Sequence, residues 1–321
     1  MRRLLTAIFA LLVLVLVLAG LGGISVKTVI QPGPLAEAKV VVVPHGTPSE
    51  IAVLLANAGV IGNQTAFRLA ASLTEGKGAM KSGEFAFPEH ASLFGVLNIL
   101  RYGRPVQHKV TIPEGLTAYQ ITAILQRAAS LDGEVPKFAE AEVFPDTYSY
   151  TYGTPRSAIV DRGRAEMDKN LAKVWEVRDT SIPLAVPQQL VIIASLVERE
   201  TSRPEERAHV AAVYLNRFRL GMKLQADPTV AYAASGGQST SERNITRAEL
   251  EARSPYNTYV VTGLPPSAIA SPGLAAMLAV ARPTTTDDLY FVADGEGGHV
   301  FAKNLEDHNR NVAKYRAAIK P

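Results

Sequence analysis

Read for its apolar and polar positions, the chain opens with one long run without charge. Met1-Arg2-Arg3 precedes the uncharged stretch Leu4 to Val26, and Lys27 closes it. About 20 apolar residues span a bilayer as a helix, so residues 1–27 read as a cytoplasmic stub and transmembrane anchor. The two arginines lie before the run, which leaves the N-terminus in the cytoplasm and exports the rest. A cleaved signal peptide is the alternative; Ala19-Gly20 offers small residues, but no clean A-x-A site or lipobox cysteine is present. Residues 28–38, with Gln31-Pro32-Gly33-Pro34, read as a linker.

Beyond the linker the periods alternate between strand and helix. Val40 to Val43 gives a buried-strand signal, and Thr47-Pro48-Ser49-Glu50 a capping box with proline at N1. The helix it starts carries Ile51, Leu54, Leu55 and Ala58 on one face, and a second helix follows Asn63, with Phe67, Ala70 and Ala71. A strand at Gly83–Phe87 and a helix bearing Leu93, Val96, Leu97 and Leu100 complete a small α+β module over 39–105. The remainder, 106–321, reads as a larger second domain. It starts with a strand over Val106–Ile112 and a helix with Ile121, Ile124 and Leu125, then an irregular, aromatic-rich stretch at 130–160. Such a loop either lines a site or packs its aromatics inward. Gln188 to Thr201 predicts a strongly apolar helix. Ser202-Arg203-Pro204-Glu205 predicts a capped helix reaching Gly221, and Ser271-Pro272-Gly273 a helix with Leu274, Met277, Leu278 and Ala281. Leu289–Val292 and His299–Phe301 flank Asp294-Gly295-Glu296-Gly297-Gly298 as a hairpin, and a last helix bears Val312 and Tyr315.

Composition narrows the chemistry. The 321 residues hold no cysteine, which excludes disulfides, cysteine-ligated metals and a thiol nucleophile. The six histidines, His45, His90, His108, His209, His299 and His308, are scattered without metal-ligand spacing, so no metal and no cofactor is expected. A net charge of +3, without a dense basic block, excludes nucleic acid as a partner and suits an anionic substrate. No G-x-S-x-G elbow or phosphate-binding glycine loop occurs. Carboxylate acid/base chemistry is what remains.

The helix ending in Val197-Glu198-Arg199-Glu200-Thr201 carries an apolar stripe through Ile193, Leu196 and Val197, and helical spacing puts Glu200 on it. Glu198 falls about 200° away, so the two glutamates do not share a face. Partial burial would raise the Glu200 pKa above its reference of about 4.3. A helix starting at Ser202 would oppose this by typically 0.3–1 kcal/mol. From pattern alone, Glu200 reads equally as an ion pair with Arg203 or a solvated helix end.

Ile193-Ala194-Ser195-Leu196-Val197-Glu198-Arg199-Glu200-Thr201 closely resembles the A-S-[IL]-[IV]-E-[KR]-E-T signature of the MltG-type (YceG-like) endolytic murein transglycosylases. Val213–Arg217, Gly221–Val230, Ser254–Tyr259 with Gly263–Pro266, and Leu289–Gly295 resemble further blocks of that family, as do Ile112–Gly115 and Phe144–Tyr148 upstream. The resemblance implies a single-pass inner-membrane protein with a LysM-like module and a partly lysozyme-like catalytic domain outside the membrane. It implies non-hydrolytic cleavage of the MurNAc–GlcNAc β-1,4 bond of peptidoglycan, leaving 1,6-anhydroMurNAc ends. The glutamate before the threonine, here Glu200, is the implied catalytic residue. It would act as acid and then as base toward the sugar's own C6 hydroxyl, which needs no second carboxylate on its face. Glycan strands are the implied partner, with the inner membrane held through residues 4–26 and peptidoglycan synthases as candidate partners. A muramidase of the same bond and a non-catalytic, membrane-tethered glycan-binding scaffold are the rival readings. Candidates for holding the sugar are Gln225, Asp227, Tyr232, Tyr256, Asn257, Tyr259 and Asn216. Core packing or loop hydrogen bonding is the alternative for each, and for Asp227 a cap before Pro228. One departure stands out: Ala141 occupies a position where the family usually has glycine.

Overall fold

The computed structural model describes residues 27–240 and 245–318. The anchor expected at residues 4–26 lies outside them, and among the described residues no helix is long and apolar enough to cross a membrane. The described residues are mixed α+β and divide into two compact units, one running to residue 108 with 149–154, the other holding 109–148 and the described residues from 155 onward. Among the described residues the sheets are all two-stranded.

In the first unit, strand β1 (Lys39–Val43) is followed by helix α1 (Pro48–Asn57), α2 (Gln64–Leu73), β2 (Gly83–Phe87) and α3 (Leu93–Tyr102). β1 and β2 are antiparallel, with Val41 opposite Phe85. The Thr47–Glu50 capping box forms, and Asn63 and Ser92 cap the next two helices. Ile51, Leu55, Phe67, Phe85, Phe87, Val96 and Leu100 fill the core. Val40–Val43 is not the fully buried strand its composition predicts. Only Val43 is buried, because a two-stranded ribbon covers one face and leaves Val40 half exposed.

The chain continues through β3 (His108–Thr111), α4 (Ala118–Arg127), β4 (Leu131–Asp132), β5 (Thr147–Tyr150) and β6 (Thr154–Pro155). Then come α5 (Arg156–Glu176), α6 (Pro187–Glu200), α7 (Arg207–Arg219), α8 (Asp227–Ala234), α9 (Arg247–Glu251) and α10 (Leu274–Ala281). β7 (Tyr290–Ala293), β8 (His299–Ala302) and α11 (Leu305–Ala318) end the second unit. Its core joins Leu190, Ile193 and Leu196 of α6 to Val210, Ala211 and Tyr214 of α7 and to Met277 and Val280 of α10. Each such aliphatic side chain contributes about 1.5–3 kcal/mol. β7 and β8 form the expected hairpin, with Phe291 opposite Phe301.

Three expectations change here. The 21-residue α5 has no counterpart in the sequence reading, because its stripe of Ile159, Val160, Met167 and Val174 is interrupted by Gly163. That glycine is needed: a Cβ would stand 2.5 Å from Val143 Cγ1, and the Gly163 carbonyl accepts the Phe144 N–H at 3.1 Å. Thus the Phe144-Pro145-Asp146 loop packs inward, with the Tyr148 hydroxyl donating to the Phe144 carbonyl at 2.6 Å. Second, Ser202 caps nothing. α7 begins at Arg207, because Thr201 Oγ1 already accepts the Arg203 N–H and turns the chain first. Third, α10 buries its small residues Ala276, Ala279 and Ala281 with Met277, and leaves Leu274 and Leu278 exposed. Close helix approach selects alanine over leucine there. Ala141 has φ +57°, which explains why glycine suits that position and makes this alanine a strained one.

Candidate active site

α6 buries Leu190, Ile193, Ala194, Leu196 and Val197, and the same stripe delivers Glu200 to the edge of the core, half-buried. Thr201 leaves the helix in extended conformation, so Glu200 is the last helical side chain. From α7, the Tyr214 hydroxyl donates to Glu200 Oε2 at 2.7 Å. Tyr214 is only 1% exposed and its ring meets Phe291 edge-on at 5.8 Å. Burial, and then the Glu200 charge, push its hydroxyl pKa well above the ordinary tyrosine value, so it remains a donor.

One turn along α7, Arg217 organises the floor. It is buried, donating from Nε to the Leu289 carbonyl at 2.6 Å and from Nη1 to the Leu224 carbonyl at 2.9 Å and Gln225 Oε1 at 3.1 Å. Its guanidinium lies over the Tyr290 ring at 5.0 Å. Burial lowers its pKa from the usual arginine value. Gln225 sits in the left-handed region at φ +53°, held by its N–H to the Thr258 carbonyl. Asp227 opens α8 but does not cap it; Ala226 is the N-cap residue, and Asp227 Oδ1 accepts the Tyr259 hydroxyl at 2.5 Å. Burial and that carboxylate push the Tyr259 hydroxyl above its ordinary range.

These groups face a cavity of about 670 Å³, within the usual range for a bound small molecule. Glu200, Arg217, Gln225, Asp227 and Tyr259 line one side. The hairpin and α11 supply the other, through Phe291, His299, His308, Tyr315 and Arg316. His299 is fixed by Glu206, whose oxygens accept its backbone N–H at 3.0 Å and its Nδ1 at 2.8 Å. Burial would raise the Glu206 pKa, but the hydrogen bonds from His299 prevail and hold it below the usual carboxylate value. Among the described residues no three His, Asp or Glu side chains converge in a metal-holding group.

Four predicted residues lie away from this cavity. Tyr232 donates to Glu140 Oε1 at 3.2 Å and packs against Tyr256, whose hydroxyl meets Ser267. Asn257, 1% exposed, donates to the carbonyls of Glu249, Leu250 and Ala252 and accepts the Tyr259 N–H, so it shapes the loop that presents Tyr259. Asn216 donates to the carbonyls of Thr286 and Asp288 ahead of the hairpin. Glu198, as its helical angle predicts, faces elsewhere, toward Arg207 and the Gly273 N–H. Sequence reading missed Tyr214, Arg217, Phe291 and His299 as site residues. The first three stand within the matched blocks, but Val210–Leu215 at the centre of α7 is an unbroken buried run, and no stripe shows which way Tyr214 points.

The profile of the YceG-like family matches residues 40–314. A protein of Streptococcus pneumoniae strain D39 named endolytic murein transglycosylase is 30% identical over 323 residues, covering 85% of this chain and 57% of the relative. The chain therefore spans little more than half the length of that pneumococcal protein. A protein of the same name from Bacillus subtilis strain 168 is 29% identical, covering 85% of this chain and 83% of the relative. The crystal structure of a YceG-like protein from Listeria monocytogenes superposes with a TM-score of 0.54 at 27% identity, over 86% of this chain and 99% of that one. With α6, the hairpin and the sequence between them inside one continuous match, this chain belongs to the YceG-like family.

Proposed function

We propose that this protein is an endolytic lytic transglycosylase of peptidoglycan, cleaving the MurNAc–GlcNAc β-1,4 bond to leave 1,6-anhydroMurNAc ends. The observation that carries the reading is Glu200 itself. It is a carboxylate at the end of a core helix, oriented by a buried tyrosine and opening on a cavity of about 670 Å³. The names of the pneumococcal and Bacillus relatives supply the substrate class. Glu200 protonates the glycosidic oxygen as positive charge develops at the anomeric carbon. The C6 hydroxyl of the same sugar then closes the anhydro ring, so no nucleophilic carboxylate is required. In the simplest cycle Glu200 also takes back the hydroxyl proton. In this reading Gln225, Asp227, Tyr259 and Arg217, which line the cavity, hold the sugar.

In the same reading, residues 4–26 anchor the protein in the inner membrane, the second unit works outside it, and peptidoglycan synthases are neighbours. The first unit is a LysM-like module; its strand–helix–helix–strand order with β1 antiparallel to β2 supports this. Digestion of intact glycan strands, read by mass spectrometry, tests the chemistry. Wild type should release anhydro-ended fragments and Glu200→Gln none. Reducing ends would make the protein a hydrolase, and full activity in the variant would remove Glu200 from the mechanism. An N-terminus processed near residues 20–25 would refute the anchor.

A further inference from the structure

The cavity holds two histidines that the single-glutamate cycle does not use, and they differ. His308 stacks on Tyr290 at 5.1 Å, its Nδ1 is sealed from solvent without a partner, and burial lowers its pKa. His299 instead has one nitrogen fixed and the other open. Nδ1 lies 2.8 Å from Glu206 Oε2, while Nε2 has no protein partner among the described residues and is not among the sealed polar atoms. The Glu206 carboxylate also accepts the His299 backbone N–H and the hydroxyl of Thr201, the residue after Glu200. With these donors around it Glu206 stays ionised and can only accept. The hydrogen between them therefore belongs to Nδ1, and in the neutral ring Nε2 carries the lone pair.

The ring cannot drift from this position. Gly298 presses the hairpin backbone against Glu206; a Cβ there would lie 2.5 Å from Glu206 Oε1. The imidazole also meets Phe291 edge-on at 5.2 Å. Other charged groups facing this corner are Arg203, bonded to the Glu296 carbonyl, and Asp294 in the hairpin turn. Glu200, Arg217, His308 and Arg316 line the same cavity.

We infer that His299 is the base of this site: its Nε2 takes the proton from the sugar hydroxyl that attacks the anomeric carbon. This rests on the transglycosylase reading and replaces Glu200 by His299 in its base step, leaving Glu200 the acid. Glu200 gives its proton to the glycosidic oxygen as that oxygen leaves C1, and becomes a carboxylate. O6 bonds to C1 and its proton passes to His299 Nε2. The resulting imidazolium is stabilised by Glu206. It then loses that proton to solvent while Glu200 regains one, so no net proton is consumed.

The test is His299→Asn. The asparagine amide reaches Glu206 much as Nδ1 does, but nothing replaces Nε2. Its kcat on glycan strands should fall by about 100-fold or more, with KM within about twofold. The acid limb of the wild-type kcat–pH profile should vanish in the variant. Unchanged kcat and profile would overturn the inference, as would a raised KM at unchanged kcat, which marks mere binding. Should the variant fail to fold, NMR of the wild-type protein with isotope-labelled histidine still decides. A proton on Nδ1 is expected, and one on Nε2 in the neutral ring overturns the assignment. Failure of the underlying reading is separately visible: reducing ends from wild type, or activity in Glu200→Gln, appear without any change at His299.

Discussion

Glu198 and Glu200 lie two residues apart on one helix and meet opposite fates. The Glu198 side chain is 6% exposed; Oε1 accepts from Arg207 at 3.2 Å and Oε2 from the Gly273 N–H at 2.9 Å. It closes the N-terminus of α10, crowded there by Glu114, whose Oε1 would lie 1.8 Å from a Cβ on Gly273. Burial raises its pKa, and the Glu114 charge adds to this against the Gly273 N–H and Arg207. By burial and titration alone Glu198 resembles a general acid, yet both its oxygens are tied to protein. Glu200 is half-buried and opens on the cavity. Access to a ligand-sized space separates the proposed acid, Glu200, from the structural Glu198.

The largest expected effect tests that separation directly. Glu200→Gln should lose about 10³-fold in glycan cleavage with its melting temperature nearly unchanged. Glu198→Ala should do the reverse, losing about 3 kcal/mol in denaturant unfolding while each folded molecule keeps its activity. Arg207, whose Nε already lacks a partner, would then be left buried and unpaired. Exchange of these two phenotypes would break the comparison. Tyr214→Phe sharpens it: loss of a hydrogen bond to a carboxylate, about 1.5–3 kcal/mol, should lower kcat roughly 10- to 100-fold with KM little changed. A change confined to KM would assign Tyr214 to binding.

The smallest effect concerns a third half-buried carboxyl, that of Glu140. Burial raises the Glu140 pKa from 4.5 to about 7, against the Ala118 N–H and the Tyr232 hydroxyl. A raised pKa means the folded state holds a proton that the unfolded chain has already released. Stability should therefore fall as pH rises from 4.5 to about 7, and level off above it. Glu140→Gln should flatten that slope in melting temperature; an unchanged slope would show that another group carries it.

Much of this was legible in the chain. The stripe of α6, the capping box at Thr47 and the glycine-rich hairpin turn each state their structure locally. What was not legible depends on partners distant in sequence. Arg217 breaks the rule that arginine stays outside, because backbone carbonyls from Leu224 and Leu289 receive it. His299 looks like an ordinary strand residue until Glu206 is seen beside it, 93 positions earlier. Asn257 and Tyr259 share one motif, yet one faces loop carbonyls and the other the cavity. Ser202 fits a capping pattern, but the preceding threonine had already bent the chain.

The cavity's two sides also differ in how firmly they are held. α6 and α7 are rooted in the core, whereas α11, which contributes Val312, Tyr315 and Arg316 to the lining, has no buried residue. Local opening is easiest where little apolar surface is lost, so amide protons of Leu305–Ala318 should exchange with solvent well before those of Pro187–Glu200. For the endolytic activity proposed above, this asymmetry matters. On that proposal, a strand too long to be threaded enters sideways past a yielding wall and still meets Glu200 on a rigid one.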